Sequence, residues 1–334
     1  KKQLNMGKPP VYDRAALALS DDERKALEAE GRKPHWRFKL SGAAVEWNDL
    51  IRGRTVVDTA SVSDPVLVRA DGMFLYTLPS CVDDIDAGIT HVIRGEDHVT
   101  NTGVQIELFE ALKGTPPTFA HHSLLVGADG EGLSKRLGSL SVEAMRADGI
   151  EPQAIASLLA RLGTADPPAP VRNYATLADG FDFDRVGRAP ARFDMAELEA
   201  LNAKLLHETS FEDVEDRLTA LGVDASLWNA VRGNVGVIDD AQKWARIVSG
   251  EIMPVIENAD LANAAADLTP DTLDDDSWSA LTTALKDKTG AKGKKLFMPL
   301  RLALTGEKSG PEMAAIFPLI GAEKARRRFR GEQA

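Results

Sequence analysis

Ten residues, Gly130 to Ser139, combine a lysine, an arginine, two serines and three glycines a few residues after the short apolar run Ser123 to Val126. Glycines let a backbone approach a ligand closely, and clustered cations and hydroxyls suit a polyphosphate. Lys135 is the strongest candidate for catalysis. A flexible ammonium on a glycine-flanked loop at a strand end can follow the charge of a leaving pyrophosphate and stabilise it in the transition state. Leu133, Ser134 and Arg136 flank it. The pattern Gly-x-x-x-x-Gly-Lys-Ser/Thr is absent, so this is not a P-loop. On composition alone, a solvated basic turn competes with this reading.

A second group lies upstream. Arg94 follows the apolar stretch Ile89 to Ile93 and precedes Glu96 and Asp97. A guanidinium there can grip a carboxylate through two parallel hydrogen bonds, or it can serve a structural ion pair with either acid. Tyr76, at the end of a hairpin strand, can offer its hydroxyl to a polar ligand or sit in the core. Asp83, Asp84 and Asp86 suit a magnesium ion or a solvated helix face. His121 and His122 lack a third ligand at usable spacing. The single cysteine, Cys81, excludes intrachain disulfides and a thiolate zinc cluster, and no metal site is assigned.

The elements around these residues follow from their spacing. Ser20-Asp21-Asp22-Glu23 is a capping box that starts a helix ended by Gly31. Strand-like runs follow, Trp36 to Leu40, Val45 to Trp47 and Thr55 to Asp58, making a β-rich module with Trp36 and Trp47 in its core. Asp71-Gly72 signals a hairpin. Ile89 to Ile93 reads as a buried strand and Thr100 to Lys113 as a helix with Val104, Leu108 and Leu112 on one face and Gly114 past its end. Strand, polar loop, helix, strand is a βαβ-type unit, whose ligands bind at the carboxyl ends of the strands, where Arg94 sits. From Pro152 onward the pattern is helical.

A chain of 334 residues should divide into two or three domains, and 43% hydrophobic with 27% charged residues describes a soluble globular protein. No apolar run approaches a membrane span and no signal peptide opens the chain, so a cytoplasmic location is expected. The net charge of −11 conceals a split. Residues 211–280 carry 15 acidic and 4 basic side chains, and residues 281–334 carry 12 basic and 5 acidic ones. A polyanion would meet the second surface, where Lys292, Lys294, Lys295 and Arg301 are candidate phosphate contacts.

Taken together, these segments resemble bacterial glutamyl-tRNA synthetase, a class I aminoacyl-tRNA synthetase. Gly132-Leu133-Ser134-Lys135-Arg136 resembles the second class I signature. Residues 76–84 and 88–98 resemble the substrate-pocket segments, and Lys294-Lys295-Leu296-Phe297-Met298-Pro299-Leu300-Arg301 resembles an anticodon-domain signature. The resemblance implies a multidomain chain, α/β then all-α. Residues 1–63 would belong to the β-rich acceptor-stem-binding insertion, 64–127 to the second half of a Rossmann-type catalytic domain, 128–193 to the stem-contact region and 194–334 to a helical anticodon-binding domain. It implies ATP with Mg2+ as substrate, glutamyl-adenylate formation and transfer to tRNA(Glu), by a protein expected to be monomeric. Carried over by position, Leu133, Ser134, Lys135 and Arg136 bind ATP, and Tyr76 and Arg94 bind L-glutamate.

The departures are specific. No His-x-Gly-His occurs, no cysteine-rich zinc site is visible, Gly132 replaces the first lysine of the second signature, and Pro79-Ser80 stand for the commoner Ala-Asn. The chain opens inside the insertion and without methionine, so it reads as a fragment that alone would not make glutamyl-adenylate. The alternatives are a non-catalytic tRNA-binding module and a glutamyl-queuosine-type paralogue, the latter disfavoured by the long helical C-terminal part. Glutaminyl-tRNA synthetase would place β-barrels there.

Overall fold

The computed structural model describes residues 11–133 and 141–334. They form two compact units. Residues up to Leu133, with Leu162–Asp166 and Phe181–Phe193, make the first; the stretch from residue 141 to Arg161, Pro167–Gly180 and Asp194–Ala334 make the second.

In the first unit, helix α1 (Asp21–Ala29) starts at the expected capping box, with the Glu23 amide donating to Ser20 Oγ and the Ser20 amide to Glu23 Oε2. Strand β1 (Trp36–Arg37) is short; β2 (Ala44–Asp49) and β3 (Gly53–Asp58) form an antiparallel hairpin in unbroken register from Ala44↔Asp58 to Asp49↔Gly53. β4 (Val66–Val68) pairs antiparallel with β1. After the Asp71-Gly72 turn the returning strand is reduced to a bridge at Phe74, and the chain enters helix α2 (Thr77–Asp86). Pro79 stands in the first turn of α2, where its missing N–H costs no helical hydrogen bond.

Strand β5 (His91–Gly95) then leads through a tight turn, Glu96–His98, into helix α3 (Val99–Ala111) and back into β6 (Thr118–His122). β5 and β6 are parallel, and their register sets Arg94 beside His121. β7 (Leu125–Gly127) pairs in parallel with β8 (Ala191–Phe193). Phe109, Phe119, Leu108 and Cys81 close the core between α2, α3 and the strands. Each large side chain buried there contributes about 1.5–3 kcal/mol. Gly103 lets α3 press against β3, since a Cβ there would lie 2.8 Å from Val57 Cβ.

Several sequence expectations are corrected here. Tyr76 does not end a strand; it stands at the N-cap of α2. The strand at residues 89–93 is not buried, for Ile93 is 56% exposed, because β5 pairs only with β6 among the described residues. Trp36 is 66% exposed and outside the core. Gly114 does not supply the left-handed helix end; Lys113 does, with φ of 60°. What Gly114 supplies is room, since a Cβ would fall 2.4 Å from Ile85 Cδ1.

The second unit is helical, as the resemblance implies. Its helices bury one face each: in Ala241–Ser249 the buried Ala241, Trp244, Ala245 and Val248 recur at the helical spacing. Trp228, Phe317 and Phe329 are fully buried in the same core. Arg328, equally buried, donates Nε to Ala334 O, Nη1 to Leu304 O and Nη2 to Ile247 O and Gly250 O.

Candidate active site

Arg94 leaves the carboxyl end of β5 half-buried, and its guanidinium is held on several sides. Nε donates to His121 Nε2 at 3.3 Å, and Nη2 donates to Thr102 Oγ1 and to Gln105 Oε1, both at 2.6 Å. Nη1 donates to the Tyr76 hydroxyl at 3.3 Å. The Phe119 ring lies beneath, 5.6 Å from the guanidinium carbon. A guanidinium has five N–H hydrogens. Four are thus committed, and among the described residues the second Nη1 hydrogen meets no acceptor. The two-bond clamp expected from Arg94 alone is therefore not available. A carboxylate can instead take the remaining Nη1 hydrogen together with the Tyr76 O–H, while the Tyr76 oxygen keeps the other Nη1 hydrogen.

The surrounding groups are positioned by the fold. Thr102 and Gln105, both buried, lie one helical turn apart on α3. Gln105 also donates Nε2 to Ser80 Oγ at 2.9 Å, tying α3 to α2. Tyr76 packs edge-on against His98, with ring centroids 5.9 Å apart. Glu96, one of the two acids considered as ion-pair partners of Arg94, binds Arg52 Nη1 at 2.6 Å instead. Asp97 lies nearest His98, at 3.9 Å. Both acids are thereby accounted for without Arg94.

His121 carries the cluster inward. Its Nδ1 lies 2.5 Å from Asp49 Oδ2, and both side chains are fully buried. Asp49 reaches it because the β2–β3 turn is anchored on β6, where the Leu50 amide donates to Phe119 O. Asp49 Oδ1 accepts the amides of Ile51, Arg52 and His121. Burial raises the Asp49 carboxyl, but the hydrogen bonds from His121 and from these amides outweigh it and hold it below the usual range. Burial pulls the His121 imidazole below its ordinary value, helped by Arg94 and Arg52 and opposed by Asp49. His121 is therefore neutral at pH 7, with its proton on Nδ1 toward the carboxylate and a lone pair on Nε2 that faces Arg94 Nε and, at 2.9 Å, the Thr102 hydroxyl. Asp49, Thr102 and Gln105 do not stand out in the sequence, and His121 does so only as half of an incomplete metal set.

The ATP-loop candidates fall at the edge of what is described. Leu133 is half-buried at the end of a turn in which Gly127 donates to Glu131 O and Val126 bridges Gly132. Ser134, Lys135 and Arg136 lie outside the described residues. In the helical unit, Lys292, Lys294 and Lys295 are exposed around the start of the helix Lys294–Thr305. Among the described residues no side chain caps that helix start. Arg301 is half-buried and donates Nη2 to Pro311 O, while its Nη1 is buried without a partner among the described residues. Asp83 and Asp86 are exposed on α2, and no three His, Cys, Asp or Glu side chains gather as a metal set among the described residues.

Residues 1–200 match the catalytic domain of the class I tRNA synthetases for Glu and Gln, and residues 255–331 match an anticodon-binding domain. Glutamate–tRNA ligase 1 of Maricaulis maris is 56% identical over the whole chain, which spans 76% of that relative. Glutamate–tRNA ligase 2 of Methylorubrum populi is 56% identical with the same coverage. A glutamate–tRNA ligase from Elizabethkingia meningosepticum, crystallised with its amino acid, superposes with a TM-score of 0.81 at 25% identity over 98% of this chain and 75% of that one. Extended similarity in sequence and in fold has one meaning: the chain belongs to the class I glutamate–tRNA ligase family.

Proposed function

We propose that the site around Arg94 selects L-glutamate for activation by MgATP to glutamyl-adenylate, which is then transferred to the 3′ end of tRNA(Glu). The observation that carries this reading is the single uncommitted Nη1 hydrogen of Arg94 beside the Tyr76 hydroxyl, at the carboxyl end of a parallel strand. A substrate carboxylate bridging the two would be oriented before reaction, so that its binding lowers the entropy cost of the chemical step. Leu133, Ser134, Lys135 and Arg136 bind ATP in this reading. Lys135 stabilises the departing pyrophosphate, and Lys135→Ala lowers the activation rate far more than ATP affinity. Lys292, Lys294, Lys295 and Arg301 contact tRNA phosphates, the three lysines being the more accessible. The protein acts as a cytoplasmic monomer, and no helix among the described residues is long and apolar enough to cross a membrane.

ATP–pyrophosphate exchange by the ligase tests the site. Arg94→Ala should raise the glutamate KM about 10- to 100-fold, the worth of one charge-assisted hydrogen bond, and leave the ATP KM unchanged. An unchanged glutamate KM would remove Arg94 from the substrate pocket.

A further inference from the structure

We infer that Asp49 and His121 are positioning residues for glutamate recognition, fixing the orientation in which Arg94 presents its Nη1 edge to the substrate carboxylate. This rests on the reading of Arg94 given above. Arg94 Nε can donate to His121 Nε2 only while that nitrogen carries a lone pair. Asp49 enforces this by accepting the Nδ1–H hydrogen bond at 2.5 Å, which holds the ring proton on Nδ1. The carboxylate cannot turn away, because its other oxygen is occupied by the amides of Ile51, Arg52 and His121. With the opposite tautomer, or with a protonated ring, an N–H would face the Arg94 N–H across 3.3 Å. The ring N–H would then turn to Thr102 Oγ1, 2.9 Å from Nε2, leaving Arg94 Nε facing a donor, and the guanidinium would swing on its remaining bonds to Thr102 and Gln105. An imidazole whose tautomer is reversed keeps its place but loses its function.

The register of β5 and β6 is what makes the coupling direct, since Arg94 and His121 are opposed residues on neighbouring strands. The charged groups facing His121 are Asp49, Arg94 and Arg52, and Arg52 is in turn paired with Glu96. Acidification therefore reaches Arg94 through the imidazole, and the glutamate KM should climb as pH falls through the native imidazole value, which lies below the ordinary 6.5.

Asp49→Asn is the decisive substitution. Its amide oxygen can keep the three backbone hydrogen bonds, while its NH2 group faces His121 Nδ1 and drives the ring proton to Nε2. The glutamate KM of the ligase in ATP–pyrophosphate exchange should rise about tenfold, with the ATP KM and the thermal midpoint little changed. His121→Gln places an amide oxygen near the position of Nε2. It should keep the glutamate KM within about threefold of the wild type and abolish its rise at acid pH. A wild-type glutamate KM in Asp49→Asn overturns the inference, as does an equal rise in both KM values. If Asp49→Asn does not fold, the His121→Gln pH profile decides, and a profile like that of the wild type overturns it. Arg94→Ala separates the two layers. If it too leaves the glutamate KM unchanged, the pocket reading falls; if it alone raises KM, only the positioning role falls.

Discussion

Arg328 donates to four main-chain carbonyls, those of Ile247, Gly250, Leu304 and Ala334, from a fully buried position. It therefore ties the ends of the helices Ala241–Ser249 and Lys294–Thr305 to the C-terminus. Burial lowers its guanidinium to about 10, which still leaves it charged at neutral pH. A methionine fills similar volume but donates nothing. Ala334 O keeps the Ile252 amide, so three carbonyls are orphaned; at about 1–1.5 kcal/mol each, the lower end of the usual range, that is roughly 3–4.5 kcal/mol. Relief of the guanidinium's own desolvation returns roughly 1–3 kcal/mol of this. Arg328→Met should then destabilise the helical unit by about 2 kcal/mol, or roughly 4–8 °C in Tm for a unit of this size. Urea unfolding followed by tryptophan fluorescence measures it, because Trp228, Trp244 and Trp278 are all buried in that core. Arg328→Lys keeps a charge and up to three donors, so it should recover about half of the loss. A loss below about 1 kcal/mol for Arg328→Met would refute the account, since it would mean that water or relaxation satisfies the three orphaned carbonyls.

Other outcomes follow from separate features. Gly103→Ala puts a methyl group 2.8–2.9 Å from Val57 Cβ and Cγ1, which should cost about 1–3 kcal/mol in thermal unfolding. Since α3 also carries Thr102 and Gln105, the glutamate KM should rise with it. Replacing Lys292, Lys294 and Lys295 together by glutamine should weaken tRNA binding and reduce its salt slope by about 2–3. Unchanged affinity and slope would leave them as solvated charges. Asp64 accepts Nε and Nη2 of Arg14 and the Leu40 amide; burial raises its carboxyl, but these bonds outweigh it and the net shift is downward. Its stabilisation is thus complete above the ordinary carboxylate value of 3.8 and fades as pH falls through the lower native value. Asp64→Asn should cost about 2–3 kcal/mol at pH 7, a discount on a fully buried pair because Arg14 is partly exposed, and progressively less in acid urea titrations.

Local signals carried the fold well where the physics is local. The Ser20 capping box, the helix over residues 99–111 and the apolar face of the helices beyond Met195 all depend on neighbours within a turn or two. Tyr76 and Ile93 show where this stops. A hairpin signal at Asp71-Gly72 says nothing about how far the returning strand pairs, and a run of apolar residues does not reveal whether anything covers it. Arg94 was legible because an arginine after an apolar strand is unusual and because the segment resembles a known pocket. Its supports were not. Asp49 and His121 lie 72 residues apart and meet because the β2–β3 turn is anchored on β6. Thr102 and Gln105 look like ordinary polar positions on a helix until the helix is placed against the strand.

Cys81 lies beside Ser80 beneath the pocket, and burial, more than the neighbouring Asp84, raises its thiol to about 11. At neutral pH such a thiol is almost wholly protonated and shielded, so alkylating reagents can reach it only when α2 opens. As the chain's single cysteine, it is a built-in clock. Its rate of modification reads the opening frequency of the wall that carries Ser80, and any slowing by glutamate would count how firmly substrate holds that wall shut. The same inertness leaves a cysteine introduced elsewhere on the surface free to take a spectroscopic label without competition.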